Sequence, residues 1–406
     1  MIRYIGPRNG QRLVSARRDG ALVPYLPQVL TVLTVLDISN HWSPTGGGVR
    51  RYQLEKCTAL AGRQDVRHIL VTPDRERETI RMGDGVVRES VPAPRVPGTG
   101  GYRYLLRSRA LQEILKTYHP DVVVCGSPIV MPWLVRRALA ASGVNAAVVG
   151  FWHADFPRTY TGRAFRRLHR RLEHTGERLG WWWAQRTYGR FDATIVASRD
   201  VARAMLNSGI QRLFYSPLGV NTTQFHPQRR RPDFVERVRA GDPRRRAILF
   251  PHRFCDEKGL PVMLRAYERI VARARAADRP EPALVFAGGG PHLPRVLKAT
   301  RTFPHVHHLG YVSDPDELAA WFASCDIMMS LSSWETFGLS TAEAMASGLA
   351  VVSSDIGAAP ELVRDGRAGR CVDGRDPEAV ADALEKLLDD KDLSKFGRRG
   401  REFVEQ

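Results

Sequence analysis

The sequence predicts two doubly wound α/β domains, each a parallel sheet with helices on both faces. Three observations predict this. Short apolar runs alternate with stretches of helical periodicity through both halves of the chain, the alternation that yields parallel sheets. A stretch rich in Pro and Arg at 225–246 interrupts it near the middle. The 406 residues suffice for two cores of roughly 150–200 residues each. The reading divides the chain into an N-terminal extension without assigned role (1–28), a first domain (29–225), a linker (226–246) and a second domain (247–406). A cleft between two such domains is the default ligand site.

In the first half, the apolar runs at 29–38, 67–71, 122–125, 147–151 and 193–196 read as strands, being short and rich in β-branched residues. Helices are expected at 49–61, 102–118, 131–141, 163–188 and 201–207, where apolar positions recur at helical spacing. The second half reads more cleanly. A strand at 247–250 leads to a helix at 260–277, and a strand at 283–287 ends in Gly288-Gly289-Gly290. A strand at 306–310 precedes a helix at 314–323, capped by Asp314 and started by Glu317. A strand at 325–331, a small-residue helix stopped by Gly348, a strand at 349–353 and helices at 360–363 and 379–388 complete the alternation.

Composition narrows the function classes. Hydrophobic residues make up 43% of the chain and charged residues 26%, as in globular proteins. No apolar run approaches the roughly 20 residues of a membrane-spanning helix. The first 28 residues lack the apolar segment and cleavage site of a secretion signal, so a cytoplasmic location is expected. Cys57, Cys125, Cys255, Cys325 and Cys371 are scattered without CxxC spacing and are expected as reduced thiols. The net charge of +18 points to an anionic partner: nucleic acid, phospholipid or nucleotide diphosphate. The Arg-rich runs at 163–171, 229–231 and 244–246 lie on no recognisable nucleic-acid module. The last two flank the linker, where solvated charge is the plainer explanation.

The most informative stretch is Glu335-Thr336-Phe337-Gly338-Leu339-Ser340-Thr341-Ala342-Glu343. It joins a strand to a helix, the place where open α/β sheets bind ligands. Free N–H groups of Gly338, Leu339 and Ser340 suit an anion. The two carboxylates, eight positions apart, accept hydrogen bonds from hydroxyls, which makes ribose and a sugar ring natural neighbours. Spacing alone is explained as well by a glutamate that favours the helix dipole.

With its surroundings, the motif resembles the paired-Glu motif of the retaining GT-B glycosyltransferases of the large family 4. The resemblance covers roughly residues 29–395. It implies that Glu335 contacts the donor sugar and Glu343 the ribose, with Gly338 and Leu339 at the donor phosphates. Pro251-His252-Arg253-Phe254-Cys255-Asp256-Glu257-Lys258-Gly259 also lies between a strand and a helix. Its two cations, Arg253 and Lys258, can neutralise a phosphate as the sugar bond breaks; surface pairing with Asp256 or Glu257 is the alternative. The loop resembles the family's Arg…Lys-Gly loop.

Three further segments extend the resemblance. His41-Trp42-Ser43-Pro44-Thr45-Gly46-Gly47-Gly48-Val49 follows the first strand. A triple Gly lets backbone approach a ligand closely, or makes only a flexible turn. It resembles the family's Pro…Gly-Gly loop, which implies donor contacts for Gly46, Gly47 and Gly48. Trp152-His153-Ala154-Asp155-Phe156-Pro157 resembles the His-x-Asp-Phe-Pro segment of members that glycosylate lipids, implying a role for His153 near the reacting carbon. Gly288-Gly289-Gly290-Pro291, His308-Leu309-Gly310-Tyr311-Val312 and Pro217-Leu218-Gly219-Val220-Asn221 resemble further family segments. Two departures stand out. Residues 1–28 precede the expected first strand, and no final helix crossing back to the first domain is expected before Gln406.

The expectation is a GT-B hexosyltransferase that moves a sugar from a GDP- or UDP-linked donor to a glycan or lipid-linked acceptor. Glu335, His153, Arg253 and Lys258 are its expected catalytic residues. The resemblance alone implies retention. No cofactor is expected, the nucleotide sugar being a substrate. No metal is expected either, because Asp314-Pro315-Asp316 reads better as a helix cap than as a metal-binding pair. Residues 163–172 form a basic segment with Phe165, Leu168 and Leu172 at helical spacing. It lies on an anionic membrane surface or packs on the first domain; both readings stand. Alternatives are a nucleotide-sugar epimerase of the same architecture and a basic nucleic-acid-binding protein, the latter opposed by the absence of an RNA module.

Overall fold

The computed structural model describes residues 3–4, 32–40, 42, 47–96, 102–127 and 129–406. Their strands form two sheets. The first contains β1 (Arg3–Tyr4), β2 (Leu33–Ile38), β3 (Val66–Asp74), β4 (Glu78–Gly83), β5 (Val86–Pro92), β6 (Val122–Cys125), β7 (Ala147–Phe151), β8 (Ala193–Val196) and β9 (Leu213–Tyr215). Their order is β1-β9-β8-β7-β6-β2-β3-β5-β4, parallel except for the β4–β5 hairpin. The second contains β10 (Ala247–Phe250), β11 (Ala283–Phe286), β12 (Val306–His308), β13 (Ile327–Ser330), β14 (Ala350–Ser354) and β15 (Gly369–Val372). Its order is β12-β11-β10-β13-β14-β15, parallel throughout.

Successive residues of a strand face opposite sides, and here both sides are buried. Ile248 and Phe250 join Met263, Tyr267, Phe286 and Leu384 in one core, while Leu249 joins Val285, Met328 and Trp321 in the other. That double burial explains why these strands are continuous apolar runs rather than alternating ones.

The chain forms two compact units. One comprises Met1–His153, Trp183–Val196 and Ser208–Ser216; the other comprises Ala154–Trp182, Ala197–Asn207 and Pro217–Gln406. Of the extension 1–28, only Arg3–Tyr4 are described, paired in parallel with β9. The stretch 226–246, expected as a linker, carries a helix at Pro232–Arg239. Phe234 on that helix stacks on Trp321 with ring centroids 4.0 Å apart. Its arginines are tied down: Arg245 Nε donates to Glu281 O at 3.0 Å and Arg246 Nη2 to Asp390 O at 3.2 Å.

Two expectations are corrected. The helix expected over 163–188 is broken into Arg163–Leu168, a 3₁₀ turn at Arg170–Leu172 and Glu173–Tyr188. Arg166 and Arg170 place like charges four residues apart, which destabilises a continuous helix. His169 is extended at the break, and its Nδ1 accepts from Arg171 N at 3.2 Å. Near the C-terminus, where no helix was expected, one spans Ser394–Val404. Gly397 and Gly400, poor helix formers, hide it in the sequence. They let it lie against the helix Leu339–Ala346: a Cβ on Gly397 would stand 1.9 Å from Gly348 O. Arg401 Nη1 donates to Ala346 O and, at 3.2 Å, to Phe225 O. Among the described residues no helix is long and apolar enough to cross a membrane.

Candidate active site

In the second sheet the strand order reverses between β10 and β13. Such a reversal opens a crevice beyond the carboxyl ends of the two strands. The loop after β10 carries Arg253 and Lys258, and the loop after β13 carries Glu335. Lys258 and Glu335 form an ion pair between side chains about a fifth exposed, at 21% and 19%. Burial works against both charges. Each charge nonetheless favours the other, so the Glu335 carboxyl lies below its ordinary value and the Lys258 ammonium above its own. His252, between them in charge and deeply buried, donates from Nε2 to Met329 O at 2.8 Å. Burial, with Lys258 nearby, pushes its imidazole down to about 4; it is neutral at pH 7. Arg253 is exposed and makes no side-chain hydrogen bond or ion pair among the described residues.

The glycine triplet after β11 is packed against this loop. Phe254 N donates to Gly289 O at 2.8 Å, and His292 N to Phe254 O at 3.0 Å. Gly288 and Gly290 have φ of +140° and +152°, and a Cβ there would stand 2.4 Å from His252 O and 2.7 Å from Phe254 O. Gly288 N also donates to Gly310 O at 2.7 Å, joining the segment after β12. Gly338, at φ +93°, opens the helix Leu339–Ala346. Leu339 starts that helix beside a small cluster of Phe337, Ala342 and Ala197. Glu343 lies inside it and is buried.

The first unit holds the remaining expected residues. In its sheet the order reverses at β2 and β6. Gly46 lies outside the described residues. Gly47 caps the helix Gly48–Leu60, Gly48 is its first residue, and a Cβ on Gly47 would meet nothing within 4 Å. His153 follows β7, half-buried, its ring stacked on Phe151 at 4.0 Å and 5.8 Å from Tyr52. A Cβ on Gly126 would stand 3.0 Å from His153 Cδ2, so that glycine makes room for the ring. Beneath lies a charged cluster that the sequence reading missed. Asp37 on β2 accepts from Lys56 Nζ at 2.8 Å and from Gln53 Nε2 at 3.4 Å. Burial disfavours its charge, but Lys56 and His68 hold its carboxyl well below the usual range. A lone Asp inside an apolar strand was the available signal.

Asp155 is buried in the second unit and accepts from Arg158 N at 3.4 Å and from Arg158 Nη1 at 3.1 Å. Burial pushes its carboxyl up to about 6 against the pull of Arg158. Asp314 accepts from Asp316 N at 3.0 Å, a helix cap. Among the described residues no three His, Cys, Asp or Glu side chains gather as a metal site.

The chain is similar to known proteins in sequence and in fold. The family model described as Glycosyl transferases group 1 matches residues 245–390, and Glycosyltransferase Family 4 matches 46–224. The chain is 29% identical over 362 residues to a GDP-mannose-dependent alpha-(1-6)-phosphatidylinositol dimannoside mannosyltransferase of Mycobacterium tuberculosis, covering 88% of each. It is 34% identical over 204 residues to the corresponding monomannoside mannosyltransferase of that species, covering 47% of this chain and 51% of the relative. A sucrose-phosphate synthase from Thermosynechococcus elongatus superposes with a TM-score of 0.69 at 19% identity, over 92% of this chain and 94% of the other. HepE of Anabaena, solved with UDP, superposes with a TM-score of 0.64 at 16% identity, over 93% and 95%. The structural likeness is one of fold.

Proposed function

Because the chain belongs to the group 1 glycosyltransferases of family 4 and has the GT-B fold, we infer that it transfers a sugar, mannose from GDP-mannose foremost, to a lipid-linked or glycan acceptor, with retention and without a metal ion. The carrying observation is the Lys258–Glu335 pair, which sets a cation beside a carboxylate at the switch point of the second sheet, inside the span of the group 1 match. The donor and acceptor assignments rest on the names of the two mycobacterial relatives.

In this reading the bond from the anomeric carbon to the β-phosphate oxygen breaks, and its electron pair leaves with the phosphate. The acceptor oxygen bonds the same face of the sugar while its proton passes to the departing phosphate oxygen. Arg253 and Lys258 stabilise the charge that develops there. Glu335 orients the sugar, Glu343 holds the ribose hydroxyls, and Gly338 and Leu339 present N–H groups to the diphosphate. Gly46, Gly47 and Gly48 contact the donor, and His153 acts beside the reacting carbon.

The acceptor is met at the cytoplasmic face of a membrane. Leu168, Leu172, Leu179 and Trp182 are exposed by 77%, 40%, 48% and 47%, among the exposed arginines Arg166, Arg170 and Arg171. Apolar side chains interleaved with arginine suit an anionic lipid surface. Phe165, by contrast, is tucked against Gly176.

A panel of GDP- and UDP-sugars, assayed for binding and slow hydrolysis in excess chelator, tests this. GDP-mannose should bind and be hydrolysed, and phosphatidylinositol mannosides should accelerate its turnover. No binding of any nucleotide sugar would overturn the reading; activity restored only by manganese would overturn the metal-free part. Sedimentation with anionic but not neutral vesicles tests the membrane part.

A further inference from the structure

Arg158 belongs to a π-helical turn, Pro157–Gly162, that directly follows the Asp155 segment. Its guanidinium is held on several sides within the second unit. Asp155 Oδ2 lies 3.1 Å away and Asp200 Oδ2 3.8 Å. The rings of Trp334 and Trp181 lie beneath it, with centroids at 4.7 Å and 5.9 Å. Trp334 immediately precedes Glu335, whose carboxylate pairs with Lys258. The remainder of the Glu335 backbone is fixed from another direction, since Ala358 N donates to Glu335 O at 3.1 Å. The loop therefore has an anchor on the far side of Glu335 and one on the near side, at Trp334.

We propose that Arg158 is a positioning residue for Glu335: clamped by Asp155 and Asp200, it holds the Trp334 ring and so fixes the approach of the 331–338 loop to Lys258. A guanidinium is suited to this because it offers planar stacking on an indole and several N–H donors to carboxylates at once. A lysine reproduces the charge but not the plane. The aromatic contact is worth most where both groups are partly withdrawn from water, as Arg158 is at 23% exposure. Neither Arg158 nor Trp334 touches substrate in this account; both act through Glu335.

The test uses the full chain, with hydrogen exchange and GDP-mannose hydrolysis as readouts. Arg158→Ala and Trp334→Leu should each speed amide exchange across residues 331–338 by about tenfold, while the remote helix Pro377–Leu388 keeps its protection. Hydrolysis should lose about tenfold in kcat with KM nearly unchanged, since an oriented group is lost rather than a binding one. Arg158→Lys should recover part of both losses. The double variant should be no worse than the more damaging single one, as expected for two groups in one interaction. Unchanged exchange in Trp334→Leu, or losses that add fully in the double variant, would overturn the proposal. Trp334→Leu leaves the Asp155 ion pair intact, so it decides the matter even where Arg158→Ala does not fold. The exchange readout needs no donor, so it stands or falls separately from the proposed reaction.

Discussion

Two glycine-rich stretches follow strands of the two sheets, and Gly47 in the first sits in a different environment from Gly288 and Gly290 in the second. At Gly288 and Gly290 the backbone adopts positive φ and lies in contact with the His252–Phe254 backbone, leaving no space for a side chain, while a Cβ on Gly289 between them would meet nothing within 4 Å. At Gly47 the φ is −80°, and nothing would meet an added Cβ. The same sequence signal thus has two physical causes. Gly288 and Gly290 are demanded by packing against the loop that carries Arg253. Gly47 is not demanded by the packing around it, so a need for glycine there would come from something the chain has to approach. The contrast extends to the polar side chains: Lys258 and Glu335 hold one another as an ion pair, whereas the His153 ring stacks on Phe151.

Substitutions can break or sharpen this contrast. Gly290→Ala should have the largest effect, about 4 kcal/mol of destabilisation, because backbone strain and overpacking combine; urea denaturation would show it. A loss under about 1 kcal/mol would mean that the loop yields easily, and the contrast would fail. Next, Arg253→Ala or Lys258→Ala should lower donor turnover about a hundredfold, as loss of one charge stabiliser does. Near-normal turnover in both would remove the pair from the mechanism.

The third effect concerns His252, whose imidazole is pushed down from 6.5 to about 4. Between these values the unfolded chain binds the extra proton and the folded chain does not. The stabilisation from neutral burial is therefore full above pH 6.5 and is lost as pH falls toward 4. Comparing wild type with His252→Gln at pH 7 and 4.5 should reveal a difference of about 2 kcal/mol in pH dependence. Equal slopes would show that His252 titrates normally. A smaller effect separates the glutamates. Glu343→Gln should raise donor KM about tenfold with kcat retained, and Glu335→Gln should mainly lower kcat; the reverse pattern would exchange their roles. The smallest is Gly47→Ala, which at a helix N-cap should cost about 1 kcal/mol of stability while impairing donor hydrolysis. Unimpaired hydrolysis would make that glycine incidental.

Much of this was legible in the sequence, for a physical reason. Strands buried on both faces are continuous apolar runs, so β6, β7, β8 and β10 appear with the expected bounds. The β4–β5 hairpin was missed because its strands are polar and its signal is local: Asp84-Gly85, with Gly85 at φ +74°, is a hairpin turn pair. The helix Ser394–Val404 was missed because its fully buried positions are glycines, with Phe396, Phe403 and Val404 alone packing on the core beside them. Of the site, Lys258 and Glu335 were each expected beside the donor, but their ion pair was not foreseen, because the two residues are 77 positions apart. His252 was quoted in the sequence but given no role, since a buried histidine's partner, here the Met329 carbonyl, is 77 residues away. Asp37, Lys56 and Arg158 were missed for the same reason: their partners are distant in sequence or depend on a turn the sequence does not announce.

The second unit borrows Ala154–Trp182 and Ala197–Asn207 from the earlier part of the chain. One borrowed piece is docked tightly: the backbone N–H groups of Arg199 and Asp200 donate to the Glu361 carboxylate at 3.0 Å and 2.6 Å. This has a consequence for the chain as genetic material. A cut near residue 225 looks like a natural seam, yet a transplanted fragment beginning there leaves behind three stretches of helix that the unit relies on. Recombination between relatives at that seam would separate Arg158 from Trp334 and Arg199 from Glu361 in one step. N-terminal and C-terminal halves from different ancestors would therefore be compatible only when these pairs travel, or change, together.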